Sequence, residues 1–379
     1  MTEVDERFMH LALDEARKAD HRTSPNPMVG AVVVKDGEVV GSGHHRRAGE
    51  AHAEVLALDA AGGQAQGGTL YLTLEPCTFE GRTPPCAPRV IDAGLARVVI
   101  GAADPNPRVS GAGIRQLRDK GIEVTVGVLA REAARLVEFH ARWTTTRRPF
   151  VTSKFAMSLD GRIATHAGES KWITSDESRL LVHRLRHAHD VILVGANTVI
   201  RDDPNLTTRL PGGGGRQPLR VVVDSRMRVS PSARIFRQEG DAVAAGVLVA
   251  TSDRARAERL AEFDAAGIEV AVLPTVEGRV SFPSLLTLLG EREKISLLVE
   301  GGAEVHGTAF DQGLVDRVVA FIAPRVIGGV ESPAAVGGHG VEHLLDASSL
   351  HDVEVSRAGE DVVISGYCRP VEPAPAPAS

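Results

Sequence analysis

Apolar and polar positions change period several times along this chain. Phe8, Leu11, Ala12 and Ala16 recur at helical spacing behind Thr2. They predict a first helix, capped by Thr2, that runs to about Ala19. Ser24-Pro25-Asn26-Pro27 breaks it. Residues 29–34 and 38–43 read as a hairpin around Lys35-Asp36-Gly37. A helix is predicted from about Ala51 to Gly62-Gly63, a strand over 70–74, a helix from Pro85 to Gly94 and a strand over 97–100. The alternation continues through Trp143, the layout of helices covering a mixed or parallel sheet. Residues 144–149, polar and ending in Pro, read as the joint to a second domain.

Beyond it the pattern predicts strands over 150–158, 191–195, 219–223, 247–250, 268–273, 295–299 and 315–323, a helix over 175–188 and a last hairpin ending near Cys368. Several of these strands are nearly continuous apolar runs, as in strands covered on both faces. The expected organisation is α/β throughout, with domains at 1–146 and 147–370 and a disordered Pro- and Ala-rich tail at 371–379. A chain of 379 residues exceeds one ordinary core, which agrees with two domains.

A net charge of −6 without a long basic run argues against nucleic acid as a partner. No apolar run is long enough to span a membrane. Three cysteines, two of them nine residues apart, make no disulfide framework in a chain this long, so a cytoplasmic protein with metal-binding thiols is expected.

The chemistry concentrates in His52-Ala53-Glu54, Pro76-Cys77 and Cys86. His52 and Glu54 fall in the first turn of one predicted helix, and the two cysteines flank the start of the next. Helix N-termini favour thiolates. Three protein ligands leave a fourth zinc position for water, the arrangement of a catalytic site. Glu54 then carries the proton from that water to a departing amine, the division of labour of zinc nucleobase deaminases. Cys368 has no such neighbours and reads as an ordinary thiol.

In the second domain, ligands are expected outside the carboxyl ends of strands. Three ends carry suggestive residues: Gly195-Ala196-Asn197-Thr198, Asp224-Ser225 and Glu300-Gly301-Gly302-Ala303. No Gly-x-Gly-x-x-Gly follows the first strand, so the pattern alone leaves a turn and a phosphate loop equally open.

Pro25-Asn26-Pro27-x-Val29-Gly30, the segment 43–54, and Glu75-Pro76-Cys77 through Gly81-Arg82-Thr83-Pro84-Pro85-Cys86 resemble the bifunctional deaminase–reductase family of riboflavin biosynthesis. Lys154 to Gly161, Lys171-Trp172-Ile173-Thr174-Ser175, Asp202 to Thr207 and Val299-Glu300-Gly301-Gly302 extend the resemblance across the second half. It implies a cytidine-deaminase-like three-layer domain followed by a dihydrofolate-reductase-like α/β domain. It implies one zinc on His52, Cys77 and Cys86 with Glu54 as catalytic residue, NADPH as cofactor and a homo-oligomer. The substrate would be a small pyrimidine ribosyl phosphate, deaminated first and then reduced at its ribosyl group.

Carried over residue by residue, the family pattern puts Asn26, His45 and Arg82 on the first substrate. It puts Ala156, Trp172, Thr198, Asp202, Ser225 and Gly302 beside NADPH. Ser170, Arg186, Leu206, Arg209 and Glu300 fall beside the second substrate. Lys154 or Asp202 is expected to polarise the sugar, and Arg186 and Arg209 to hold its phosphate by bidentate hydrogen bonds. The chain departs from the family at Phe79, where a His is usual. The alternative is a zinc deaminase of another nucleobase substrate with a non-catalytic dinucleotide-binding domain, which a broad basic surface would favour.

Overall fold

The computed structural model describes residues 2–107, 109–237 and 246–374. Two compact units divide the chain. One runs up to Arg147 and takes the chain back from Val371; the other is Arg148–Pro370.

The first unit opens with α1 (Glu3–Arg17), where Thr2 and Asp5 form a reciprocal capping box. Then follow β1 (Gly30–Lys35), β2 (Glu38–His44), α2 (Ala53–Ala61), β3 (Thr69–Leu74), α3 (Cys86–Asp92), β4 (Arg97–Ala102), α4 (Ala112–Asp119), β5 (Glu123–Val126), α5 (Ala130–Leu136) and α6 (Glu138–Thr146). The sheet order is β2-β1-β3-β4-β5, antiparallel around β1 and parallel from β3 to β5. Alternate strand residues feed two cores. Ala31, Val33, Leu70 and Leu72 pack under α2, α3 and α4, while Val32, Val34 and Tyr71 pack under α1 and α5. The result is a three-layer sandwich. Gly41 and Gly43 on β2 let α2 approach closely: a Cβ on Gly43 would lie 2.6 Å from that of Leu56.

The boundary between the units falls inside the predicted joint, but the helix runs further into it than expected. Thr144, Thr145 and Thr146 belong to α6, and their hydroxyls donate to the carbonyls of His140, Ala141 and Arg142. Back-bonding lets a polar run finish a helix, which breaks only at left-handed Arg147. The disordered tail was expected at 371–379. Its residues 375–379 lie outside the described residues, but Ala374 forms a backbone bridge with Ala103 and packs on the first unit's core.

The second unit comprises β6 (Phe150–Ser158), α7 (Asp176–Ala188), β7 (Val191–Gly195), α8 (Ala196–Asp202), β8 (Leu219–Val223), β9 (Val247–Ser252), α9 (Ala257–Ala265), β10 (Glu269–Leu273), the small hairpin β11 (Thr275–Val276) and β12 (Arg279–Val280), α10 (Phe282–Glu291), β13 (Ser296–Gly301), α11 (Ala303–Asp311), β14 (Arg317–Ala323), β15 (His351–Ala358) and β16 (Asp361–Tyr367). Nine strands form one sheet, ordered β10-β9-β8-β7-β13-β6-β14-β16-β15. All pairs from β10 to β14 are parallel, and β16 and β15 add antiparallel edge strands. Val191 and Leu193 face α10, whereas Ile192 and Val194 face α8 and α9. Burial on both faces explains why these strands are unbroken apolar runs. From β7 the chain winds one way to β10, and from β13 it winds the other way to β14. Their adjacent carboxyl ends are therefore a topological switch point.

Candidate functional site

In the first unit, His52 is the N-cap of α2 and Cys86 is the first residue of α3. Cys77 lies between β3 and α3. Its carbonyl accepts from the amides of Cys86 and Ala87, both at 3.1 Å, and its sulfur from the Cys86 amide at 3.4 Å. His52 Nδ1 is 3.7 Å from Cys77 Sγ and 3.2 Å from Cys86 Sγ. All three donor atoms lie within 4.8 Å of one another. Tetrahedral zinc requires N–S separations of about 3.5 Å from its usual bond lengths, so this donor set fits the ion. The other ring nitrogen, Nε2, is 3.2 Å from Thr83 Oγ1, which fixes the ring with Nδ1 toward the thiols.

The Cys86 thiol donates to Cys77, which holds Cys77 well below the usual thiol range and pushes Cys86 above it. A ready thiolate is what a metal ligand requires. Glu54, 3% exposed, sits in the same first turn of α2, and burial pushes its carboxyl above the usual range.

His45 Nδ1 faces the Ala51 carbonyl at 3.1 Å and must donate to it, so Nε2 accepts from Asn26 Nδ2 at 3.0 Å. Its ring meets that of His52 edge-on, centroids 5.0 Å apart. Burial lowers its basicity, keeping it neutral in that tautomer. Asn26, His45, His52, Glu54, Cys77 and Cys86 thus converge. Arg82 is exposed on the loop that carries Thr83, where Phe79 also sits.

Sequence reasoning missed Glu75. It is 3% exposed and accepts four backbone amides: Asp104 (3.0 Å) and Gly111 (2.9 Å) on Oε2, Gly113 (2.9 Å) and Ile114 (3.2 Å) on Oε1. It staples the 104–114 segment under Pro76-Cys77. Gly113 has no room for a side chain, since a Cβ would fall 2.2 Å from the Pro76 carbonyl. The Glu-Pro-Cys run was the available signal, but its partners lie about 30 to 40 positions away.

In the second unit a cleft of about 690 Å³ opens at the carboxyl ends of β7, β8 and β13. Thr198, Asp202, Ser225 and Gly302 line it, and so does Ser170, which the family pattern placed beside the second substrate. Asp202 accepts from Ser170 Oγ at 3.2 Å, and the Ser225 hydroxyl accepts from the Val280 amide at 3.0 Å. A Cβ on Gly302 would lie 3.3 Å from Thr198 Oγ1, so the floor stays open. The size, the glycine floor before α11 and the arginines in the wall fit a dinucleotide with its phosphates. Ala156 and Trp172 are not among the lining residues. Ala156 packs toward α7, and Trp172 is 62% exposed with the Arg179 guanidinium 4.6 Å from its ring.

A second cluster gathers Lys154, His183, Arg186 and Glu300. Arg186 grips Glu300 in a bidentate pair, Nε to Oε1 at 2.7 Å and Nη2 to Oε2 at 2.8 Å, and Nη1 donates to the Thr207 carbonyl at 3.1 Å. Three of its five N–H donors are therefore engaged within the protein. Arg209 remains exposed, and its side chain donates to Thr207 Oγ1 at 3.2 Å. Leu206 turns its side chain into the core and offers only backbone. Burial and the nearby Arg186 charge lower Lys154, opposed by Glu300. Burial and the flanking arginines bring His183 down to about 4, so it accepts from the Arg209 amide through Nδ1.

Residues 2–102 match the family model of the cytidine and deoxycytidylate deaminase zinc-binding region, and residues 149–364 match that of the RibD C-terminal domain. The riboflavin biosynthesis protein RibD of Aquifex aeolicus is 43% identical over 362 residues, covering 96% of this chain and 98% of that protein. The Escherichia coli protein of the same name is 39% identical, covering 95% and 98%. Among solved structures, RibD of Acinetobacter baumannii superposes with a TM-score of 0.83 at 33% identity, covering 96% of this chain and 99% of that one. A diaminohydroxyphosphoribosylaminopyrimidine deaminase/5-amino-6-(5-phosphoribosylamino)uracil reductase of Thermotoga maritima gives 0.82 at 37%, covering 96% and 98%. A cytidine-deaminase-like unit with a zinc-ligand triad and a reductase unit follow one another in a single polypeptide, and the chain belongs to the RibD family of riboflavin biosynthesis proteins.

Proposed function

We propose that this protein catalyses two consecutive steps of riboflavin biosynthesis. The first unit deaminates 2,5-diamino-6-(5-phosphoribosylamino)pyrimidin-4-one, and the second reduces the ribosyl group of the product to ribityl. The observation that carries this reading is the His52–Cys77–Cys86 triad with buried Glu54 beside it, in one chain with the switch-point cleft.

His52, Cys77 and Cys86 would hold zinc, which would supply a Lewis acid and make a bound water ionisable near neutral pH. Glu54 accepts the proton of the attacking water and delivers it to the leaving amine; the raised affinity of its buried carboxyl for a proton suits both halves. Thr83 holds His52 in register. Asn26 and His45 present a polar wall of fixed tautomer to the pyrimidine. Arg82 adds a cation at the rim. Phe79 supplies an apolar ring where the family has an imidazole, so any contact made there is packing rather than a hydrogen bond.

NADPH supplies the hydride in the second unit. Gly302, Thr198, Asp202 and Ser225 hold it along the cleft. Lys154, made a better acid by burial, polarises the sugar, and Glu300 orients it while locked by Arg186. Arg209 takes the phosphate. Ser170 shares Asp202 and joins the two sides. Ala156 and Trp172 stand outside the cleft lining and serve as its flanks.

We also infer a cytoplasmic homo-oligomer that uses a small molecule rather than nucleic acid. The net charge of −6 supports the latter, and among the described residues no helix is long and apolar enough to cross a membrane. The test follows NADPH absorbance on adding the diaminopyrimidinone phosphate, with zinc present and then chelated. Zinc-dependent consumption is expected. No consumption even with the deaminated intermediate supplied would overturn the reductase assignment.

A further inference from the structure

This inference rests on the reading of the second unit's cleft as the NADPH site. NADPH and NADH differ at the adenosine ribose, where one bears a 2′-phosphate and the other a hydroxyl. In Rossmann-type sheets an acidic side chain past a strand end takes the hydroxyl, and an arginine accommodates the phosphate; the same chemistry applies to any dinucleotide laid across strand ends.

Asp224 stands at such a position, immediately past β8, but it is turned inward. It is 1% exposed, and its oxygens serve its own turn: Oδ1 accepts from the Arg226 amide at 3.4 Å and Oδ2 from the Val229 amide at 2.8 Å. The Arg228 Nε lies 3.9 Å from Oδ1. The carboxylate is thus spent on the fold and unavailable to a ribose hydroxyl.

Two arginines of the cleft wall stand on the loops past β8 and β9. Arg226 follows β8 and Arg254 follows β9, and both line the cleft and are exposed. Their loops are pinned to each other. Thr251 Oγ1 donates to the Asp224 carbonyl at 2.8 Å, Ser252 Oγ to the Ser225 carbonyl at 2.7 Å, and the Arg254 amide to Ser252 Oγ at 3.2 Å. The Arg254 guanidinium lies over Gly278 in the β11–β12 turn, where a Cβ would meet Nη1 at 3.0 Å. Of the other wall arginines, Arg279 pairs with Glu304 at 3.5 Å and Arg228 bonds Asn197 at 2.9 Å, while Arg201 belongs to α8 and not to these two clamped loops. Neither the Arg226 nor the Arg254 guanidinium has an acidic partner among the described residues. Two uncompensated forks on adjacent, clamped loops match a doubly charged phosphate.

We propose that Arg226 and Arg254 form a 2′-phosphate clamp that makes this enzyme select NADPH over NADH. The test is calorimetric titration of the full chain with NADP+ and with NAD+. The unsubstituted protein is expected to bind NADP+ at least about 100-fold tighter, roughly tenfold or more per arginine. Arg226→Ala/Arg254→Ala should weaken NADP+ by a similar factor, leave NAD+ within about threefold, and flatten the salt dependence of NADP+ binding. Retained NADP+ preference in the double variant would overturn the clamp. So would loss of both dinucleotides, because the arginines would then hold something common to the two. If the unsubstituted chain binds neither, the reading of the cleft itself fails.

Discussion

Replacing Glu75 by Gln tests whether one carboxylate holds the deaminase site in shape. Each of its oxygens accepts two backbone amides at 2.9–3.2 Å. A carboxamide keeps one oxygen and turns an NH2 toward the other pair of donors. Two charge-assisted bonds are lost, each worth about 1.5–3 kcal/mol net, so the cost is about 3–6 kcal/mol. Set against a domain stability of about 5–15 kcal/mol, that is a large fraction. With a urea m-value of about 2 kcal/mol/M, the first unit's midpoint falls by about 1.5–3 M. Urea titration followed by far-ultraviolet circular dichroism measures it, with the second unit's transition unmoved. A shift below about 0.5 M would refute the reasoning, because the four contacts would then be worth no more than exposed ones.

Other expectations concern chemistry and pH. Glu54→Gln should cut ammonia release by about 100-fold or more while zinc content stays at one per chain, measured by atomic absorption. Arg186→Met strands Glu300 and should cost about 3–5 kcal/mol, whereas Arg186→Met/Glu300→Leu should recover most of it in the same melt. His140, buried with Nδ1 on the Pro25 carbonyl at 3.1 Å, and His306, on Ser153 Oγ at 2.8 Å, are both held down to about 4 by burial. The unfolded chain then binds more protons between their ordinary value of 6.5 and about 4. Stability present above pH 6.5 is lost as pH falls through that window, by up to roughly 3 kcal/mol per histidine. His140→Gln should blunt the acid slope of the first unit; an unchanged slope in urea melts at pH 5 and 7 would count against it. Asp104, raised to about 7 mainly by burial, has the opposite sign: its contribution is lost as pH rises through 7, so Asp104→Asn should stabilise at pH 8 rather than destabilise.

What was legible in the sequence was what is local. Val191–Gly195 and Leu219–Val223 are buried on both faces, so nearly every residue, Arg220 excepted, carries the signal, and their predicted limits coincide with the strands. The zinc set was readable because His52 and Cys86 sit at helix starts and each ligand belongs to its own short motif. Thr144 to Thr146 misled because composition says loop, while their hydroxyls satisfy the helix's own carbonyls. The Arg186–Glu300 pair was illegible for a different reason: its partners are 114 positions apart, and nothing in the local sequence reveals the pairing. Glu75, Thr83 and His183 escaped notice likewise, since each acquires its role only from residues that folding brings to it.

The bridge between Ala374 and Ala103 has a consequence for biosynthesis on the ribosome. Residues 103 and 374 are translated with the whole second unit between them. The deaminase layer emerges early, yet it waits through some 220 further residues for one of its pieces. A gene cut at Arg147 would therefore not yield the same deaminase as the intact chain. The fused order of the two activities is written into the packing of the first as well as into the reading frame.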